Sequence, residues 1–125
     1  LGAERAKLMW PFRTLLGTGA TLAFGTDSPV VDVNSMDVLY SATTRQDPAT
    51  HEPAGGWLAS ERIGMAEALR AYTQGSAAAA GRAHEPGMLA DVTVLDRDVL
   101  SCAPDDVQKT RVLATFTGGQ CVFEA

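Results

Sequence analysis

"TLAFGTDSPV", Thr21 to Val30, is the stretch on which the reading of the whole chain turns. An apolar run of strand type, Thr21 to Phe24, meets Gly25, and a lone acid follows at Asp27 before Ser28 and Pro29. An unpaired carboxylate at the mouth of a buried strand costs several kcal/mol or else takes up a proton. Two readings answer this. Asp-Ser-Pro is good turn chemistry, in which the Asp side chain bonds its own backbone and stays in water. Alternatively Asp27 is a functional acid at the C-terminal end of a buried strand, where α/β barrels collect their chemistry. A divalent cation would then favour its ionised form and lower the pKa of a bound water.

Upstream, residues 3–16 read as a helix, with Leu8, Phe12, Leu15 and Leu16 on one side. Pro11 interrupts it, so two shorter pieces are equally compatible, and Gly17 and Gly19 end it. Downstream, Met36 to Ser41 begins another helix, capped by Asn34 or Ser35. "QDPATHEPAGGWLA", 46–59, reads as a loop. From Gly64 the pattern is helical, with Met65, Leu69 and Tyr72 at i, i+4 and i+7. Gly75 is read as its stop, and Ser76 as the cap of a short alanine helix ending at Gly81. "ADVTVLDRD" is a strand with Val92 and Val94 on one face, and "TRVLATFTGGQCVFEA" a hairpin around Gly118-Gly119. The chain thus divides into a helix-strand-helix part, 1–82, and an all-β part, 83–125.

The 125 residues, 46% of them hydrophobic, suit one ordinary globular core. A formal charge of -5 with ten scattered basic residues argues against a nucleic-acid surface. No apolar run reaches ~18 residues, so no membrane span is expected, and no signal peptide is visible, which points to a cytoplasmic setting. Leu1 in place of Met, inside a helical pattern, suggests a piece of something longer. Cys102 and Cys121, without a Cys-x-x-Cys pattern, read as small apolar or strand residues.

Other sites are weaker. "GTGATLA", Gly17 to Ala23, matches a dinucleotide fingerprint poorly and in the wrong order, since a helix precedes it and a strand follows. His51 and His84 have no ligand spacing between them and read as surface or loop histidines. Ser28 lacks the G-x-S-x-G elbow of a nucleophile. Glu61, Glu67, Asp105 and Asp106 read as solvated faces or helix-terminus charges. Arg45 and Trp57 follow the strand and could touch a substrate, although a surface ion pair and a packed aromatic are the simpler readings.

"LLGTGATLAFGTDSPV", "MAEALRAYTQGSAAAAGRAHEPGMLADVTVLDRD" and "VLATFTGGQCVFEA" together resemble the C-terminal part of the amidohydrolase superfamily. The branch they resemble contains the N-substituted formamide deformylase-like enzymes. The resemblance runs along almost the whole chain. It implies the last strand and helices of a metal-dependent-hydrolase TIM barrel over 1–82 and strands of a small composite β-sandwich over 83–125. It implies that Asp27 ligates a divalent metal, zinc being the first candidate, and handles the proton of the hydrolytic water. The implied substrate is a small amide-like molecule. The superfamily's His-x-His pair and later histidines have no counterparts here, and such a barrel takes about 250 residues. The expectation is therefore a fragment inactive by itself. The alternative is a non-catalytic remnant that binds a partner or forms a homo-oligomer through uncovered apolar faces.

Overall fold

The computed structural model describes residues 2–82 and 86–125. Its elements run α1 (Ala3–Ala6), α2 (Phe12–Gly17), α3 (Ser35–Thr44), a 3-10 turn (Ala59–Glu61), α4 (Met65–Arg70), a π-helical turn (Ala71–Gly75), α5 (Ser76–Ala79), β1 (Val92–Leu95), α6 (Pro104–Val107), β2 (Val112–Thr117) and β3 (Gln120–Glu124). The class is mixed α/β.

Pro11 splits the first helical stretch, and α2 starts directly after it. Helix α3 starts where the Asn34 side chain accepts the Met36 N–H at 3.1 Å and carries Asp37 in its first, electropositive turn. It stops where Arg45 adopts a left-handed backbone, φ 63°, and donates its N–H to the Ser41 carbonyl. Met36, Leu39 and Ala42 of α3 form the core with Ile63, Ala68, Val99 and Val107. Phe12, Leu16, Leu22, Phe24, Met65 and Leu69 close over them. Fully burying a side chain such as Leu39 contributes about 2–3 kcal/mol.

Thr21 to Phe24 is extended, as its alternation requires: Leu22 and Phe24 are half-buried while Thr21 and Ala23 are exposed. It is not a strand, however, and it is buried on one side only. A strand needs a laddered neighbour, and the described residues bring none beside it. Its one backbone hydrogen bond of this kind runs from the Phe24 N–H to the Ala71 carbonyl, 3.1 Å. Gly75 does not stop a helix either. The helical run continues from Met65 to Ala79 and widens to π geometry over Ala71–Gly75, so Ser76 lies inside a helix rather than capping one.

Strands β1, β2 and β3 form an antiparallel meander in that order. Val92 faces Phe116 and Val94 faces Ala114, while Phe123 faces Thr115 and Cys121 faces Phe116. The β2–β3 turn is Gly118-Gly119, both at positive φ (57° and 81°), as a type I′ hairpin turn requires. Helix α6 lies in the long β1–β2 connection, so the 83–125 part is not all β as its sequence pattern suggests, and the helix carries Asp105 and Asp106 in its first turn. Val99 and Val107 from this connection pack on α3. The Gln108 amide donates to Asp37 Oδ1 (2.9 Å) and to the Pro48 carbonyl (2.8 Å).

Candidate functional site

Asp27 sits where the extended segment ends. Its backbone is left-handed, φ 54°, in a turn closed by the Val30 N–H on the Asp27 carbonyl at 2.9 Å. Asp and Asn tolerate this conformation better than other side chains because they can bond locally. The residue is exposed, and its carboxylate accepts no hydrogen bond within the described residues. The turn reading is therefore correct for the backbone, while the side chain stays available to solvent or a ligand.

Around it the apolar side chains Val30, Val31 and Val33 are also exposed. Among the described residues no group of three or more His, Cys, Asp or Glu could hold a metal ion. A catalytic metal takes about three protein ligands. The residues present thus supply one carboxylate and do not fit a complete metal centre.

The other candidates fall elsewhere. His51 is exposed at φ 58° in the loop between α3 and the 3-10 turn, its ring 5.2 Å from that of the fully buried Tyr40. Tyr40 donates its hydroxyl to Gln46 Oε1 (2.9 Å), and Gln46 Nε2 donates to the His51 carbonyl (2.7 Å), so this network shapes the loop. His84 lies outside the described residues. Cys102 and Cys121 are free thiols, the first half-buried and the second exposed.

Arg45 is not in a surface ion pair. It is only 8% exposed, and its guanidinium donates to the Trp57 carbonyl (3.1 Å) and the Met9 carbonyl (3.4 Å). It lies 5.3 Å from the Phe12 ring centroid and 5.4 Å from that of Trp57. Burial pushes its pKa down, while the charge of Glu61 works in the opposite direction. Cation–π contact and carbonyl dipoles replace the carboxylate that a buried cation usually needs. Trp57 is the packed aromatic its composition suggested, edge-on to Trp10 at 6.3 Å.

Glu61 and Glu67 are more than solvated charges. Glu67 accepts Arg13 through two bonds of 2.8 and 2.5 Å and the Gly64 N–H at 2.7 Å. Glu61 accepts the Thr14 N–H (2.9 Å) and hydroxyl (2.6 Å). Together they fasten α2 to the stretch that leads into α4. Both carboxyls are held below their usual range, Glu67 chiefly by Arg13 and Glu61 chiefly by the Thr14 hydroxyl.

The sequence model of the amidohydrolase family matches residues 1–123. The chain belongs to the amidohydrolase family. Protein LONG AFTER FAR-RED 3 of Arabidopsis thaliana is 37% identical over 98% of this chain and 21% of its own length. N-substituted formamide deformylase of Arthrobacter pascens is 31% identical over 97% of this chain and 22% of its own length. This amidohydrolase chain therefore spans about a fifth of the length of the curated relatives it matches. No solved structure matches it. Among its described residues no helix is long and apolar enough to cross a membrane.

Proposed function

We propose that these residues belong to a hydrolase that cleaves a non-peptide, amide-like C–N bond of a small molecule, with Asp27 as its proton-handling acid. The observation that carries this is the exposed carboxylate at the end of the extended segment, in a chain of the amidohydrolase family. The relative named N-substituted formamide deformylase supports the bond class. In this reading 1–82 is the last strand and helices of an α/β barrel, and 83–125 supplies strands to a composite sandwich.

Asp27 takes a proton from water as the water oxygen bonds to the carbonyl carbon. It returns that proton to the nitrogen as the C–N bond breaks, so the carboxylate is regenerated. Family members usually use a divalent metal, zinc being the first candidate, which when bound lowers the pKa of the attacking water. Asp27 would be one ligand, and the others would come from outside the described residues.

The test is Asp27→Asn in the intact protein, assayed against a panel of simple N-substituted formamides and amides. The expected loss in kcat is on the order of 10²–10⁴-fold with an unchanged circular dichroism spectrum. A fully active, folded Asp27→Asn protein would sink the proposal. A second reading, self-association of a non-catalytic chain, is favoured by the exposed apolar residues Val92, Val94, Val122 and Phe123 on the sheet.

A further inference from the structure

Among the described residues the segment leading to Asp27 has no strand beside it, yet one turn of helix touches it in three ways. The Phe24 N–H donates to the Ala71 carbonyl at 3.1 Å. The Ser76 hydroxyl donates to the Phe24 carbonyl at 2.5 Å and lies 3.1 Å from that of Ala71. Gly75 comes so near Leu22 that a Cβ built on it would stand 1.9 Å from the Leu22 carbonyl oxygen.

The π-helical turn makes these contacts possible. In an α-helix the Ala71 carbonyl would receive the N–H four residues on; here it receives that of Ser76, five residues on. The widened turn leaves the same carbonyl oriented to take the Phe24 N–H as well. Gly75, without a side chain, admits the backbone of Leu22.

We infer that Ala71–Ser76 is a backbone clamp that sets the position of Asp27, with Ser76 as a positioning residue. Between Phe24 and the turn closed at Val30, neither Gly25 nor Thr26 makes a hydrogen bond within the described residues. Asp27 therefore hangs from the point that Ser76 fixes. Misplacing a reacting group by ~1 Å can cost on the order of 10²-fold in rate. The functional meaning of the clamp rests on the reading of Asp27 given above, while its existence does not.

Amide hydrogen exchange and ¹⁵N relaxation on the 125-residue protein, with Ser76→Ala, Ser76→Cys and Ser76→Thr, test it. In the unaltered chain Phe24 should be protected while Ala23 and Thr26 exchange freely. Ser76→Ala should speed Phe24 exchange ~10-fold more than that of Leu39 and Tyr40 in α3, and lower the order parameter of Asp27 toward ~0.6. Ser76→Cys, a weak donor, should do the same to a smaller degree if the alanine variant does not fold. Ser76→Thr should preserve both readouts. Equal acceleration at Phe24 and Leu39, an unmoved Asp27, or an unprotected Phe24 in the unaltered chain would overturn the clamp. Asp27→Asn separates the two claims. Full activity in that variant with the clamp intact removes only the role of Asp27, and an inactive Asp27→Asn with a mobile segment removes only the clamp.

Discussion

A methyl group at position 75 would land 1.9 Å from the Leu22 carbonyl oxygen, closer than atoms approach without backbone movement. Gly75→Ala should therefore destabilise the fold by about 3 kcal/mol or prevent folding, as overpacking against backbone does. Gly17, at the end of α2, has nothing within 4 Å of where a Cβ would stand and no positive φ. Gly17→Ala should raise stability by about 0.5–1 kcal/mol through helix propensity and a less flexible unfolded chain. Urea denaturation of both variants measures this, and a neutral Gly75→Ala would contradict the close approach described. Neither glycine differs in local sequence from a simple helix terminator, so their opposite roles were not legible there. Arg45 was misread for a related reason. Its carbonyl partners lie 12 and 36 positions away along the chain, its ring partners are Phe12 and Trp57, and no spacing rule encodes such a cradle. The turn at Asp27 was legible because its neighbours, Gly25 before and Pro29 after, are turn formers that act locally.

Among the elements, the junction of β1 with β2 depends on one carboxylate. Asp96, its side chain 13% exposed, pairs with Arg97 at 3.2 Å and Arg111 at 3.1 Å and also accepts the Arg111 N–H at 3.0 Å. These bonds, that from Arg97 foremost, hold its carboxyl far below the ordinary range. A depressed folded-state pKa contributes stability above the unfolded value of about 3.9, and that contribution fades as pH falls through the folded value. Thermal melts from pH 7 to pH 2 should show the unaltered chain losing stability below about pH 4. Asp96→Asn should start lower at pH 7 and show a flatter decline; parallel curves would rule out this linkage. The strands themselves were readable, because alternation and a Gly-Gly turn are local signals. The helix start at Asn34 or Ser35 was readable for the same reason, and the Met36 N–H on the Asn34 side chain decides between them. The extended segment at 21–24 has the composition of a strand, whereas strand formation needs a partner that composition cannot name. The π-helical turn is likewise invisible in "AYTQG", since it exists through bonds made to Phe24 and Ser76.

At the level of the whole molecule, the sheet leaves apolar side chains uncovered, with Val122 62% and Phe123 49% exposed. Edge strand β3 also offers unpaired backbone along its outer side, a template for further pairing. Sedimentation equilibrium should show concentration-dependent association of the 125-residue chain, reduced in a Val122→Thr, Phe123→Thr double variant. A strictly monomeric chain at ~100 μM, with a Kd well above that range, would count against the self-association reading. The meander also has an uneven contact order. Strands β2 and β3 close across two glycines, while β1 must find β2 across the connection from Asp96 to Arg111. The hairpin can form in about 1–10 μs, and recruiting β1 pays a larger loop-closure entropy afterwards. Contacts formed before the rate-limiting step govern folding, and those formed after it govern unfolding. Substitutions in the Gly118-Gly119 turn are thus expected to change how fast this sheet assembles, and loss of the arginine-tied carboxylate at its far end to change how fast it comes apart.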